Sequence, residues 1–370
     1  MKNTKILVKT KSKSYPIYFG NSNIKNIGSL IRKNLPGVKK ICIISDKNLP
    51  SNTFKKINAV LKKYQPKIYK LSVSEKTKDF KLAYKLSESI IRDNFNRSDC
   101  IISLGGGIVS DLSAFVASIT KRGLKFINIP TTLLAQVDAS VGGKTAVNSI
   151  HGKNLIGTFY QPDFVLVDIA LLDSLPQREL ICGYGEILKH SLILNKKFFL
   201  WLNQNAKKLI YQRDKKILKT AIIESCKIKS KIISADEKEN NNRMILNFGH
   251  TFAHGFEGAK NFSNKLNHGE AVLLGMILAS KLSNQKKLMP LKDLMLIEKH
   301  YKKLNLPRKL KKKFRKNEIN KIINFMKKDK KNFNDKINLI LLKKIGKTTK
   351  PNKFNIEAAK LKKFLSSNFV

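Results

Sequence analysis

The stretch DCIISLGGGIVSD, residues 99–111, predicts a buried strand that ends in three glycines and passes directly into an apolar helix. Amphipathic helical patterns lie nearby, at 53–64 and 78–94. Strands that alternate with helices are typical of a parallel sheet covered by helices. The first half is therefore predicted to be an α/β domain, whose other strands are expected at 5–9, 41–45, 67–71, 125–129 and 164–167.

Strand patterns nearly vanish after about residue 175, where helical periodicity takes over. One late apolar run, INLILL at 337–342, is compatible with a strand. The change near 162–176 predicts two domains, an α/β domain of residues 1–170 and a mainly helical domain of residues 171–370. The helices of the second domain are expected at 177–194, 214–235, 248–259, 270–285 and 291–303.

The composition is that of an ordinary globular protein. The chain has 370 residues, of which 42% are hydrophobic, enough for two domains with substantial cores. We find neither an apolar run of membrane-spanning length nor a secretory signal, and therefore expect a cytoplasmic protein with no membrane partner. The four cysteines lie far apart without a C-x-x-C pair, which predicts reduced, mostly buried thiols.

The formal net charge of +47 taken alone suggests nucleic acid or an anionic membrane surface as a partner. The lysines are spread over the chain together with many Asn and Ile residues, as expected from an AT-rich genome. One basic block, 307–331, has apolar residues at helical spacing and predicts a helix with a solvated face. We therefore expect no specific nucleic-acid partner.

Three glycines, Gly105 to Gly107, follow the strand 99–104. Glycines allow positive φ and close backbone approach, and a helix N-terminus offers free N–H groups, so a pyrophosphate is expected here. The motif is not G-x-G-x-x-G, and a plain strand-to-helix turn remains the alternative. Asp46, at the end of strand 41–45, is a candidate ribose ligand or a cap of the next segment.

The segment 130–148 is richer in polar and small residues than a core segment. The pair Thr131-Thr132 resembles a helix N-cap whose hydroxyls can also bind a ligand. Lys144 and Lys153 each follow glycine, and Asp138 precedes the first of them by six residues. Each feature alone is compatible with a turn, but the cluster favours an anionic ligand.

Histidines cluster in the second half, and His250 and His254 lie four residues apart. Two histidines and a carboxylate commonly hold a catalytic divalent ion, and spacing alone would pair His250 with His254. A structural role is the alternative for any single histidine. Nearby cations, above all Arg243 with Asn247 one turn before His250, suit a substrate that carries carboxylate and phosphate.

Several long motifs together resemble the 3-dehydroquinate synthase family, from about residue 40 to 345. They are GGGIVSD, KRG, IPTTLLAQVDASVGGKTAVN, GKNLIGTFYQP, LPQRELICGYGEILKHSLI, NFGHTFAHGFE and HGEAV. The resemblance implies a Rossmann-like NAD-binding α/β domain, a helical domain with a zinc or cobalt ion, and an active site in the cleft between them. It also implies a homodimer, because Arg122 in KRG matches an arginine that reaches the neighbouring subunit's site.

The resemblance also assigns roles residue by residue. It implies Glu186, His250 and His268 as metal ligands, with His254 near the site but not a ligand. Implied NAD contacts are Asp46, Glu75, Lys78, Gly106, Gly107, Asp111, Thr131, Thr132, Lys144, Lys153, Leu171, Leu172, Asp173 and Ser174. Implied substrate contacts are Asp138, Lys144, Asn154, Lys189, Lys229, Arg243, Asn247, His254 and one lysine of Lys330-Lys331.

Three positions depart from the family pattern, Ser74, Ser110 and Gly185, and the first of these most weakens the assignment of Glu75. The implied reaction converts 3-deoxy-D-arabino-heptulosonate 7-phosphate to 3-dehydroquinate and phosphate in the shikimate pathway. It proceeds by transient oxidation by NAD, phosphate elimination, re-reduction and aldol closure. The alternatives are a sister sugar-phosphate cyclase, a metal-dependent polyol dehydrogenase and, from another class, a nucleic-acid-binding protein.

Overall fold

The computed structural model describes residues 4–327 and 336–369. The chain divides into two compact units, Met1–Pro176 with Leu218–Lys238, and Gln177–Ile217 with Glu239–Val370. This division differs from the predicted 1–170 and 171–370 chiefly because Leu218–Lys238 groups with the first unit. Helical periodicity predicts that this segment is a helix, but it does not identify the body against which the helix packs.

The first unit contains a seven-stranded sheet. Its strands are β1 Thr4–Lys9, β2 Ser14–Gly20, β3 Ile41–Asp46, β4 Lys67–Leu71, β5 Cys100–Gly105, β6 Lys125–Pro130 and β9 Phe164–Asp168. They lie in the order β1-β2-β9-β6-β5-β3-β4. β1 and β2 are antiparallel, and the other neighbours are parallel, so the expected parallel sheet is present. β2 was not predicted, because its alternating pattern SYPIYFG contains a proline.

Both faces of the central strands are buried, which explains their continuous apolar runs. Side chains alternate between faces, so Ile41 and Ile43 of β3 join one apolar cluster, and Cys42 and Ile44 join the other. The helices of this unit are α1 Ile27–Asn34, α2 Ser51–Leu61, α3 Phe80–Arg92, α4 Gly107–Ile119 and, from Leu218 onward, α7 Lys215–Ala235. α1 and α2 contribute to the first cluster, and α3 and α4 to the second.

A separate antiparallel hairpin, β7 Lys144–Ser149 and β8 Gly152–Phe159, follows a π-helical turn at Ala135–Ala139. Neither strand was predicted, because the segment GGKTAVNSIHGKNLIG is small and polar. The hairpin carries the lysines that the sequence associates with an anionic ligand, so its position matters for the candidate site.

The second unit is mainly helical, as predicted. Its helices are α5 Gln177–Leu194, α6 Lys196–Tyr211, α8 His250–Ala259, α9 His268–Gln285, α10 Leu291–Lys303, α11 Ile319–Lys327 and α12 Ala358–Ser367. The run 337–342, which is compatible with one strand, is instead divided between the end of β10 Lys336–Asn338 and the first residue of β11 Leu342–Lys344. β10 pairs with β13 Asn355–Glu357, and β11 pairs with β12 Lys347–Thr348. Within 4–327 and 336–369, no helix has the length and apolar character needed to cross a membrane.

Candidate functional site

Three helices of the second unit bring a carboxylate and two imidazoles together. Glu186 lies on α5, His250 is the first residue of α8, and His268 is the first residue of α9. One ligand atom from each of the three lies within 4.8 Å of the other two. The rings of His250 and His268 have centroids 5.4 Å apart. Two imidazoles and a carboxylate at this spacing fit a divalent ion that keeps an open position.

The Glu186 carboxylate is fully buried. Its Oε2 pairs with the Lys189 ammonium one turn along α5, and this lysine is itself 2% exposed. Its Oε1 accepts no hydrogen bond from the described residues and lies 3.6 Å from His250 Nε2. A buried carboxylate oxygen without a partner is costly, and a cation at this point would remove the cost. The residues present therefore fit a metal ion.

The close approach of α5 and α9 depends on Gly269, the residue after His268. A Cβ on Gly269 would lie 2.3 Å from the Cα of Cys182, four residues before Glu186. Only glycine allows the two backbones this contact. Gly249 acts similarly at α8, because it caps the helix before His250 with φ +81°. These two glycines set the distances between the three side chains.

His254 lies beside the three clustered residues but is not one of them. Its ring centroid is 5.9 Å from that of His250. The three residues whose ligand atoms meet in this unit are Glu186, His250 and His268. Spacing alone paired His250 with His254, but His254 does not belong to this group. Spacing along one helix does not find His268, because a third helix supplies this imidazole from a distant part of the sequence.

Glu257 is a residue that the sequence analysis missed. It is 5% exposed on α8, and its Oε2 lies 3.2 Å from His268 Nδ1. When Nδ1–H donates to this carboxylate, Nε2 is left as the ligand nitrogen, and the ring is held in one orientation. The sequence shows a glutamate one helical turn after His254, in HGFE. This glutamate reaches His268 only because α8 and α9 pack together.

Arg243 and Asn247 lie in the 3-10 turn Asn242–Asn247, directly before α8. Arg243 is 3% exposed, and Asn247 Nδ2 donates to Glu239 Oε1 at 3.1 Å. Glu239 was also not predicted. His300 lies elsewhere in this unit, where its Nε2 is 2.6 Å from the Tyr184 hydroxyl, and its role is structural.

In the first unit, Lys78 is the centre of a buried polar group. This ammonium is 3% exposed and donates to Asp111 Oδ2 at 2.6 Å and to Asn154 Oδ1 at 2.7 Å. Burial raises the pKa of the Asp111 carboxyl, and the Lys78 charge opposes this effect. Lys153 lies 3.7 Å from Glu75. Five residues that were predicted to contact ligands are therefore joined in these pairs: Glu75, Lys78, Asp111, Lys153 and Asn154.

The glycine turn has the predicted position but not the predicted backbone. Gly106 caps α4 and Gly107 is its first residue. None of the three residues Gly105, Gly106 and Gly107 has a positive φ. The expectation of positive φ is therefore wrong here. Small size still matters, because a Cβ on Gly106 would lie 3.1 Å from Thr132 Cγ2. The helix N-terminus stays open to an anion.

Other predicted residues of this unit lie near the same strand ends. Thr132 Oγ1 accepts from the Ala135 amide at 3.2 Å, as expected of an N-cap, and Thr131 is buried beside it. Asp46 accepts from the Asn48 amide at 2.9 Å. Lys229 of α7 donates to the backbone and the carboxylate of Asp138, at 2.6 and 2.5 Å.

The remaining predicted residues are more dispersed. Lys144 is exposed at the start of β7, and Leu171 to Ser174 lie at and beyond the 3-10 turn Ile169–Leu172, where Leu172 is buried. Arg122 has φ +62° and lines a surface cavity of about 430 Å³ with Lys13, Arg97 and Asp163. Lys330 and Lys331 lie outside the described residues.

Comparisons with known proteins were made for the whole chain. Family models for the N-terminal and C-terminal parts of 3-dehydroquinate synthase match residues 68–182 and 183–332. The 3-dehydroquinate synthase of Pelagibacter ubique is 50% identical over 351 residues, covering 95% of both chains. That of Thermodesulfovibrio yellowstonii is 40% identical over 365 residues, covering 98% of this chain and 99% of the other.

Solved structures agree in architecture. A 2-deoxy-scyllo-inosose synthase in complex with carbaglucose-6-phosphate, NAD+ and Co2+ has a TM-score of 0.86 at 27% identity, with 99% of this chain and 100% of that one covered. The 2-epi-5-epi-valiolone synthase of Streptomyces hygroscopicus, with NAD+ and Zn2+ bound, has a TM-score of 0.84 at 23% identity, covering 97% and 98%, and shares the fold.

Proposed function

This chain belongs to the 3-dehydroquinate synthase family, and on that premise we propose that it converts 3-deoxy-D-arabino-heptulosonate 7-phosphate to 3-dehydroquinate and phosphate. The observation that carries the proposal is the clustering of Glu186, His250 and His268 in a chain that matches both halves of the family. The enzyme is a carbon–oxygen lyase that needs NAD and one divalent metal ion.

Glu186, His250 and His268 would hold the metal, with Glu257 fixing the His268 ring. The bound ion, zinc or cobalt, supplies a Lewis acid for neighbouring substrate oxygens. Lys189 and His254 are assigned to proton movement during elimination and ring closure. The ion pair of Lys189 with Glu186 places this ammonium beside one of the proposed metal ligands.

The first unit is assigned to NAD, with the pyrophosphate at the start of α4 and further contacts from Asp46, Glu75, Lys78 and Asp111. The open N–H groups of the helix and the glycine turn support the pyrophosphate position. NAD bound there would supply a transient hydride acceptor that is restored within one turnover, so it would not be consumed. Gly106, Gly107, Thr131, Thr132, Lys144, Lys153 and residues 171–174 complete the proposed set.

The substrate anions are assigned to cationic and amide side chains that the family motifs supply. Arg243 offers a guanidinium that can hold a carboxylate through two parallel hydrogen bonds. Lys229, whose ammonium is held by Asp138, and Asn154 are further donors. Asn247, which donates to Glu239, is also assigned to the substrate. A carboxylate-binding arginine favours the dehydroquinate reaction over cyclases whose substrates lack a carboxylate.

We also propose a cytoplasmic homodimer in which Arg122 serves the partner's site. Apolar side chains near this arginine are exposed, Ile119 by 37% and Phe159 by 43%. The Thr158 hydroxyl lies 2.9 Å from that of Ser118, which places the end of β8 alongside the end of α4. Exposed apolar side chains of this kind are available to an interface with a second copy. Sedimentation of the purified protein tests the dimer.

One assay tests the reaction. The purified protein is incubated with the heptulosonate phosphate and a catalytic amount of NAD, with and without chelator, while phosphate and dehydroquinate are followed. We expect both products, and loss of both on chelation. Stoichiometric NADH would indicate a polyol dehydrogenase, and phosphate release that ignores chelation would rule out the metal assignment. Lys153→Ala should weaken binding of the anionic ligands.

A further inference from the structure

Asn148 stands where the pairing of β7 with β8 is irregular. Val147 pairs with Ile156 and Ser149 with Gly152, so Asn148 faces three residues of β8 instead of one. Asn154, in that stretch, has φ +55°, a left-handed conformation that costs a side-chain-bearing residue free energy. The Asn154 amide donates to Asn148 Oδ1 at 2.9 Å. The side chain of Asn148 thus replaces the missing backbone acceptor.

The other end of the same amide group binds the loop between β4 and α3. Asn148 Nδ2 donates to the Glu75 carbonyl at 2.7 Å and to Glu75 Oε2 at 3.0 Å. The backbone N–H of Asn148 donates to the Lys78 carbonyl at 2.7 Å. One residue therefore fixes both the hairpin and this loop.

The residues held in this way carry the chemistry of the first unit. Lys78 Nζ binds Asn154 Oδ1, and Lys153 lies beside Glu75. The side-chain N–H groups of Asn148 donate to Glu75, and its side-chain carbonyl accepts from the Asn154 amide. Because these groups bind the protein itself, we assign this side chain to positioning and not to ligand contact.

We propose that Asn148 is a positioning residue whose side-chain amide holds Asn154 in its left-handed conformation and fixes Glu75 against the hairpin. This inference rests on the proposed function, which assigns Glu75 and Lys78 to NAD and Asn154 to the substrate. Removing the amide releases both segments, so affinity for NAD and for substrate falls together.

Two variants test the Oδ1 and Nδ2 contacts of the Asn148 side chain separately. Asn148→Asp keeps the oxygen that accepts from the Asn154 amide but puts a second carboxylate oxygen against Glu75. We expect the Kd for NAD to rise about tenfold, while hydrogen exchange at the Asn154 amide stays slow. Asn148→Ala should speed that exchange and raise both the NAD Kd and the substrate KM about tenfold or more.

A double variant and a control complete the test. Glu75→Gln removes the repulsion between the two carboxylates but also changes a proposed NAD contact, so Asn148→Asp is measured in the Glu75→Gln background against Glu75→Gln alone. There it should cost less NAD affinity than it does in the wild type. Asn205→Asp makes the same atomic change on α6, where Nδ2 binds the Trp201 carbonyl at 2.9 Å, and should leave NAD affinity and exchange unchanged. NAD Kd is measured by calorimetry and exchange by mass spectrometry.

Unchanged NAD affinity and unchanged Asn154 exchange in Asn148→Ala would overturn the proposal. So would an equal loss in Asn205→Asp, because charge alone would then be the cause. If Asn148→Ala does not fold, the Asn148→Asp and double-variant measurements decide. If the wild type binds NAD but does not turn over the heptulosonate phosphate, the proposed function fails, while exchange and NAD affinity still test Asn148.

Discussion

Replacing Gly269 by alanine should separate α5 from α9 and damage the metal centre without unfolding the protein. The new Cβ would lie 2.3 Å from the Cα of Cys182, whereas carbon atoms pack at about 3.5–4.0 Å. Because the near atom is backbone, the helices must move apart by roughly 1 Å or more. Metal–ligand distances tolerate only about 0.2 Å. We expect metal affinity to fall at least about tenfold, with overpacking costing about 1–3 kcal/mol of stability.

A graded series of glycine replacements makes this prediction specific. Gly37→Ala adds the same methyl group where nothing lies within 4 Å and is the control. At Gly185 a Cβ would lie 3.3 Å from the Gly269 carbonyl oxygen, so Gly185→Ala needs only a small shift and should bind metal nearly as tightly as the control. Metal affinity is measured by competition between the apo variants and a chromophoric chelator, and stability by thermal unfolding.

The reasoning is wrong if Gly269→Ala binds zinc as tightly as Gly37→Ala. Equal affinity would mean that α5 and α9 need not approach closely for Glu186 and His268 to act together.

Three further predictions concern the histidines. Glu257→Gln should weaken metal binding about 10–100-fold, because the carboxylate that orients His268 becomes a neutral amide, and the visible spectrum of the cobalt form should shift; an unchanged affinity contradicts the orienting role. His268→Ala should abolish metal binding, whereas His254→Ala should lower turnover and leave metal affinity nearly intact; the opposite result in chelator competition would favour the i, i+4 pair. Burial lowers the pKa of His300 to about 4 from 6.5, so its stabilisation is complete above pH 6.5 and is lost as pH falls, by about 1.4 kcal/mol per pH unit. Urea unfolding of wild type and His300→Gln should diverge in this way between about pH 7 and 5, and parallel curves would refute it.

The sequence predicted the α/β half well because its signals are local. The apolar runs of β3, β5, β6 and β9 are short and rich in isoleucine and valine, which favours strands, and three glycines mark the turn from β5 into α4. β7 and β8 were missed because their small, polar residues lack an apolar alternation. At their bulge Asn148 contacts the loop at Glu75 and Lys78, far away in the sequence.

For the metal centre, the sequence determined the residue types, a glutamate and several histidines flanked by glycine, and the family motifs supplied the set Glu186, His250 and His268. Spacing within one helix favoured His254 instead, because local periodicity relates only residues on the same helix. The tertiary structure alone decided which imidazole meets the carboxylate, since a glycine contact at Gly269 brings a third helix within reach. The roles of Glu257 and Asn148 were equally beyond the sequence, because both depend on hydrogen bonds between segments that only folding brings together.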